Sequence, residues 1–68
     1  MKYATEKQVI EIATTYGEVY HDFTRGLVAI DSNGKKWFFN RNVYRDTLHG
    51  LAKDGKLIFS GHQSYRKA

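Results

Sequence analysis

One stretch decides the predicted fold: SNGKKWFFNRNVY, at residues 32–44. It contains Asn33-Gly34, the residue pair that most strongly favours a tight β-hairpin turn. It also contains the only tryptophan, two of the four phenylalanines and a basic run that leads toward a predicted helix. We expect the preceding sequence to fold back onto this stretch as strands, and the following sequence to close over it as a helix.

Length and composition indicate one small domain. A chain of 68 residues buries only about 60% of the surface that its unfolded form exposes. It has no cysteine, so neither disulfides nor thiolate zinc ligands can supplement its core. No apolar run approaches the ~18 residues of a membrane span, and the N-terminus lacks a signal-peptide core. We therefore expect a single cytoplasmic domain over residues 1–68 that does not enter a membrane.

The charge is unevenly distributed along the chain. Residues 1–24 contain two Lys/Arg and four Asp/Glu, a net charge of −2, whereas residues 25–68 contain nine Lys/Arg and three Asp, a net charge of +6. A basic side of this kind is typical of proteins that bind polyanions. A basic composition also serves solubility alone, so charge by itself does not decide the function.

The first helix is predicted over residues 5–16. Thr5 and Gln8 match a capping box, in which each side chain satisfies the backbone N–H of the other residue. An apolar stripe of helical period follows at Val9, Ile12, Ala13 and Tyr16. Gly17 then supplies the left-handed residue that commonly ends a helix.

Alternation of apolar and polar residues after Gly17 predicts three antiparallel strands, at residues 18–24, 27–31 and 36–40. Two-residue turns at Arg25-Gly26 and Asn33-Gly34 would fix their register. One face would then carry Val19, His21, Phe23, Val28, Ile30, Trp37 and Phe39. The other face would carry Tyr20, Asp22, Thr24, Leu27, Ala29, Asp31, Lys36 and Phe38. Asp31 and Lys36 would form a cross-strand pair.

A second helix is predicted to begin near Asn40 or Asn42, either of which can cap it. Its buried stripe would contain Tyr44, Leu48 and Leu51. Gly50 costs about 1 kcal/mol in a helix and could end it, but Leu51 continues the stripe and favours an end near residues 54–55. Residues 56–60 are predicted to form a strand and residues 61–68 a basic, mobile tail, so the ordered part would be residues 5–60.

The predicted order, α-β-β-β-α-β, indicates an α+β fold in which a three-stranded antiparallel meander carries both helices mainly on one face. The first five elements resemble a double-stranded-RNA-binding domain in order and approximate length. Those domains carry a lysine cluster at the start of the second helix, where this sequence reads Asn40-Arg41-Asn42-Val43-Tyr44. The resemblance is one of topology, and topology alone does not assign a function.

No enzymatic motif occurs in the sequence. His21, His49 and His62 lack metal-ligand spacing, no phosphate-binding loop is present, and no serine lies in a nucleophile-elbow context. We therefore expect a protein that is not an enzyme and that uses no metal, cofactor or small-molecule substrate.

Two surfaces could bind a partner. A basic ridge on the second helix, extended by nearby lysines, could follow a phosphate backbone; it contains Arg41, Arg45, His49, Lys53, Lys35, Lys36 and Lys56. The outer face of the sheet carries Phe38 and Tyr20 near Arg25 and Lys36, as in sheets that stack unpaired bases. An ordinary solvated helix face would also explain the ridge, and a covering helix or strand would make Phe38 part of the core.

These surfaces predict a nucleic-acid-binding protein without catalysis, for DNA or RNA. A winged-helix form, with residues 41–54 as recognition helix and 56–66 as wing, is a variant of this prediction. The alternative is an accessory protein or inhibitor of the type encoded by phages and mobile elements. It would bind a host protein through the same aromatic face.

Overall fold

A computed structural model describes all 68 residues and contains two helices and seven strands. In chain order these are β1 (Lys2–Tyr3), α1 (Glu6–Tyr16), β2 (Glu18–Asp22), β3 (Gly26–Ile30), β4 (Lys36–Phe38), β5 (Arg41–Asn42), α2 (Arg45–Lys53), β6 (Leu57–Gly61) and β7 (Ser64–Lys67). Five strands form an antiparallel sheet in the order β4-β3-β2-β7-β6, and β1 pairs in parallel with β5. The predicted α+β class is confirmed. At 11 and nine residues, neither helix is long and apolar enough to cross a membrane.

The core lies between one face of the five-stranded sheet and the two helices, as predicted. α1 contributes Val9 and Ala13, and α2 contributes Leu48 and Leu51. From the strands and the segment before α2 come Val19, Leu27, Ala29, Val43, Leu57 and Tyr65. Trp37 is half-buried at the edge of this core, with its ring centre 5.4 Å from that of Tyr16 on α1.

Helix α1 has the capped ends that the sequence predicts. Thr5 Oγ1 accepts a 3.1 Å hydrogen bond from the Gln8 backbone N–H, and Gln8 Oε1 accepts one of 3.0 Å from the Thr5 N–H. At the other end, the Gly17 N–H donates to the Ala13 carbonyl. Local sequence alone therefore positions this helix, because every capping contact joins residues three or four apart.

The two loops that flank β3 are longer than predicted. Asp22 pairs with Gly26 across a three-residue loop, and the Asp22 carboxylate accepts hydrogen bonds of 2.8 Å from the Thr24 and Arg25 N–H groups. At the other end of β3, the Asp31 N–H donates to the Lys35 carbonyl across a second three-residue loop. Asn-Gly suits this loop as well as the two-residue turn, because a glycine in the left-handed region can occupy its last position.

This register reverses the predicted orientation of β3. Ala29 lies opposite both Val19 and Trp37, so Leu27 and Ala29 face the helices and are fully buried. The prediction that Val28 and Ile30 face the helices is wrong, because odd register shifts at both turns transfer alternate side chains to the other face. β2 and β4 keep their predicted faces.

Two further predictions made from this register are also wrong. Phe23, predicted to be core, lies in the β2–β3 loop and is 85% exposed. Lys36 lies opposite Ile30 and not opposite Asp31. The Asp31 carboxylate instead accepts hydrogen bonds from its own loop and from the Trp37 indole N–H, at 2.9 Å for the latter.

The second helix begins later than predicted. Neither Asn40 nor Asn42 caps it: Asn40 has a left-handed backbone with φ of 53°, and Asn42 belongs to β5. The N-cap is Tyr44, whose exposed ring stacks on Tyr3 with 4.1 Å between ring centres. Pairing with β1 holds residues 41–42 extended, a long-range contact that local periodicity does not report. The prediction that Tyr44 belongs to the buried stripe is therefore wrong, whereas Leu48 and Leu51 are buried as predicted and the helix continues through Gly50.

The prediction of a mobile tail at residues 61–68 is wrong for most of that segment. The chain reverses at His62-Gln63, both with positive φ, and β7 inserts between β6 and β2. Ser64 and Tyr65 are buried there. A two-residue turn with positive φ at both positions normally uses glycine or asparagine, so His-Gln carries no recognisable turn signal.

We expect Gly26→Ala to be more destabilising than Gly34→Ala. Both glycines have φ near 80°, which costs other residues about 1–2 kcal/mol. A Cβ at Gly26 would also lie 2.9 Å from Asn42 Cα and closer still to the Arg41 carbonyl, whereas a Cβ at Gly34 meets nothing within 4 Å. Urea denaturation should show a further loss of about 1–3 kcal/mol for Gly26→Ala; equal losses would contradict this close approach of β5 to β3.

Asp31 should stabilise the fold in its ionised form. Hydrogen bonds from the Trp37 indole, and from the Lys35 and Asn33 N–H groups, hold its pKa below the ordinary value. Because the pKa is lowered on folding, this stabilisation is present above about pH 4 and is lost as the pH falls through the folded-state pKa.

The Asp31→Asn variant should therefore unfold at lower urea than the parent at pH 7, and the difference should close in acid. Asp54→Asn, the same change at the C-terminal end of α2, is the control and should show no such loss. A difference for Asp31→Asn that stays constant with pH would show that ionisation of this carboxylate is not involved.

Candidate functional site

The outer sheet face, the side opposite both helices, carries a row of aromatic residues. Phe38 of β4 and Tyr20 of β2 are the two cross-strand partners of Val28 on β3. Val28 is fully buried between them, Phe38 is 49% exposed and Tyr20 is half-buried. Usual strand spacing places the two aromatic residues about 10 Å apart. The predicted pairing of Phe38 and Tyr20 on one face therefore matches their positions in the structure.

Two cations lie beside these rings. The Arg25 guanidinium carbon is 4.5 Å from the centre of the Phe38 ring, and Lys36 Nζ is 6.0 Å from the centre of the Tyr20 ring. Cations at these distances are attracted to the negative faces of aromatic rings. The outer sheet face therefore presents exposed aromatic surface and positive charge within a few ångströms of each other.

The acidic residues on this face lie on β2. Hydrogen bonds from the Arg25 and Thr24 N–H groups lower the pKa of Asp22, and the positive charges of Arg25 and Lys36 lower it further. Glu18 lies opposite Arg66 of β7. The two cations Arg25 and Lys36 therefore outnumber the single carboxylate of Asp22, which leaves the Phe38 side of the face with an excess of positive charge.

The fold divides the predicted basic ridge among several surfaces. Arg45, His49 and Lys53 follow one another at helical spacing on α2, on the helix side of the sheet. Arg41 belongs to β5, and Lys56 lies in the loop after α2. Lys35 lies over the Trp37 ring, with Nζ 4.3 Å from its centre. Lys36 alone among the seven residues of the predicted ridge lies on the outer sheet face with Phe38 and Tyr20.

A second candidate site, the α2 cavity, lies between α2 and the sheet and has a volume of about 250 Å³. Arg45 and His49 of α2 line one side, and His21, Phe59 and Tyr65 of the sheet line the other, with Gln63 of the β6–β7 turn. The Tyr65 hydroxyl and His49 Nδ1 share a hydrogen bond of 2.9 Å. Burial raises the pKa of Tyr65, and the Arg45 charge opposes that effect.

Sequence reasoning missed the α2 cavity because one of its walls is the segment predicted to be a mobile tail. The sequence pattern places His21 on an apolar face and His49 on the basic ridge, 28 residues apart, and nothing in it indicates that both line one cavity with Tyr65. Phe23, exposed in the β2–β3 loop, lies next to the cavity, since its ring packs against both His21 and Arg45. The one available signal is the alternation of β2, which directs His21 toward the helices.

No protein-family model matches the chain, and neither a curated protein nor a solved structure is detectably similar to it. Evidence for function therefore comes from the geometry of the outer sheet face and of the α2 cavity.

Proposed function

We propose that the outer sheet face binds single-stranded nucleic acid, without catalysis. The observation that supports this most directly is the half-exposed Phe38 ring, in a row with Tyr20 and in contact with Arg25. Leaving a phenylalanine largely in water forgoes part of the roughly 1.5–3 kcal/mol that its burial would contribute. Sheets that carry aromatic rings beside cations bind single strands by stacking bases on the rings and pairing phosphates with Lys and Arg.

The spacing of the rings suits two separate bases. Phe38 and Tyr20 lie two strands apart, so an extended strand that crosses β4, β3 and β2 can place one base on each ring. Arg25 and Lys36 lie over these rings and supply charge for the intervening phosphates. Stacking is tolerant of sequence because every base has a π-face, so we expect little preference among bases.

A protein partner on the same face is the second candidate. The row next to Phe38 and Tyr20 contains two isoleucines, Ile30 on β3 and Ile58 on β6, and Ile58 is 42% exposed. Partly exposed isoleucines beside aromatic rings, with charges of both signs, are also what a protein interface with an apolar centre and a polar rim requires. An accessory protein or inhibitor would use the face in this way.

Phe38→Ala should weaken binding to single strands by about 1–3 kcal/mol, the usual contribution of one stacked base. Fluorescence anisotropy of a labelled oligonucleotide at ~50 mM salt, where phosphate contacts are strong, measures the change. Tyr3→Ala is the matched control, because Tyr3 is 46% exposed and stacks on Tyr44, away from this face. Because Phe38 is half-buried and covers Val28, Phe38→Ala should lower the unfolding midpoint modestly, by less than the loss of a core aromatic residue would.

The outcomes separate the candidates. Equal losses for Phe38→Ala and Tyr3→Ala would exclude stacking on the outer sheet face. No binding of the parent to micromolar oligonucleotide would exclude the nucleic-acid proposal and favour the protein partner. A large fall in stability for Phe38→Ala would show that this ring serves the fold, and both candidates would lose their main support.

Lys36→Gln and Lys53→Gln form a charge-matched pair that locates the phosphate contacts. Each phosphate contact with a single strand contributes about 0.7 to the slope of log K against log salt concentration. We expect Lys36→Gln to lower the slope by about that amount and Lys53→Gln to leave it unchanged. The reverse result would place the contacts on α2, on the basic ridge predicted from the sequence.

A further inference from the structure

We infer that the α2 cavity binds a phosphate monoester. This site is distinct from the proposed nucleic-acid surface, because the cavity lies on the helix side of the sheet, between α2 and the strands. The sequence places Arg45 and His49 on the basic ridge, but only the fold brings them together with His21 and Gln63.

The polar groups around the cavity suit an anion. Arg45 provides a guanidinium group, whose fork of N–H donors matches phosphate oxygens. Gln63 provides a side-chain amide, and His21 and His49 provide imidazole nitrogens that can donate in the appropriate tautomer. No Asp or Glu lines the cavity. A set of donors with one fixed positive charge and no carboxylate favours an anionic ligand over a cation.

Contacts with aromatic residues position Arg45, His21 and His49. The Arg45 guanidinium carbon lies 4.8 Å from the centre of the Phe23 ring, and the His21 ring packs edge-on against the same ring at 5.4 Å. On the other side, His49 is held by its hydrogen bond to the Tyr65 hydroxyl. Phe23 therefore has a function in the folded chain although it lies outside the core: it orients Arg45 and His21.

His21 adds an independent indication of a polar occupant. Its Nδ1 atom is buried and has no hydrogen-bond partner in the protein. Buried polar atoms are nearly always hydrogen-bonded, and a ligand or a water molecule in the adjoining cavity is the available source of a partner.

The size and the apolar walls of the cavity narrow the ligand class. About 250 Å³ is below the ~300–1,000 Å³ typical of pockets for drug-sized ligands, so the ligand is small. Phe59 is 53% exposed and stands beside the polar groups together with Leu48. An apolar wall next to an anion site suits the organic part of a phosphate monoester, which inorganic phosphate lacks.

NMR titration of the ¹⁵N-labelled protein tests the inference with two probes, phenyl phosphate and inorganic phosphate, and with chloride at matched ionic strength. We expect saturable shifts at His21, Arg45, His49 and Gln63 with phenyl phosphate, weaker binding of inorganic phosphate, and no saturable shift with chloride. Arg45→Gln should raise the Kd for phenyl phosphate about tenfold or more, the loss of roughly one charge-assisted hydrogen bond. Arg45 is exposed, so the variant should keep the parent's amide spectrum.

Lys53→Gln is the matched control, because it removes one positive charge from the same helix two turns away. It should change the Kd less than twofold. Equal effects of Arg45→Gln and Lys53→Gln would overturn the site, since they would indicate general attraction by the basic helix.

The absence of saturable shifts at about 10 mM phenyl phosphate, enough to fill even a ~1 mM site, would also overturn it. Equal affinity for the two probes would overturn the assignment to a monoester and leave a site for inorganic phosphate. Phe38→Ala should not alter the titration, so this site and the nucleic-acid surface are tested separately.

Discussion

The register of β3 is the constraint on which the rest of the structure depends. This strand has neighbours on both sides, and an aspartate fixes each of its ends. The Asp22 carboxylate holds the preceding loop by accepting hydrogen bonds from backbone N–H groups, and the Asp31 carboxylate holds the following loop in the same way. Because side chains alternate along a strand, these loop lengths decide that Leu27 and Ala29 enter the core. The Asp31 carboxylate also accepts a hydrogen bond from the Trp37 indole N–H, which joins the loop to the edge of the core.

The same alternation places the two candidate sites on opposite faces of the sheet. On β2, Tyr20 points to the outer sheet face and the next residue, His21, points to the α2 cavity. On β4, Phe38 points outward and Trp37 points toward α1. In so thin a protein, β2 and β4 each supply both a core or cavity residue and a surface residue.

β7 completes both surfaces. It separates β2 from β6 and carries Tyr65 on the helix side, where its hydroxyl meets His49. Its neighbour Arg66 lies on the outer side, opposite Glu18. Without this strand the sheet would end at β2, and the α2 cavity would lose the wall that faces the helix.

The sequence by itself determined the α+β class, the capped helix α1, the burial of Leu48 and Leu51 on α2 and the outward position of Phe38. These features follow from contacts between residues two to four apart, or from alternation within one strand. Only the tertiary structure decided which side chains of β3 face the helices, where α2 begins and where β7 pairs in the sheet. It also decided which side chains line the α2 cavity, among them His21, Arg45, His49 and Tyr65. Each of these depends on loop geometry or on pairing between distant segments. Asn33-Gly34 fits loops of two lengths, and His62-Gln63 adopts a turn that its residue types disfavour. Burial of the paired strands selects between the two loops in the first case and outweighs local preference in the second.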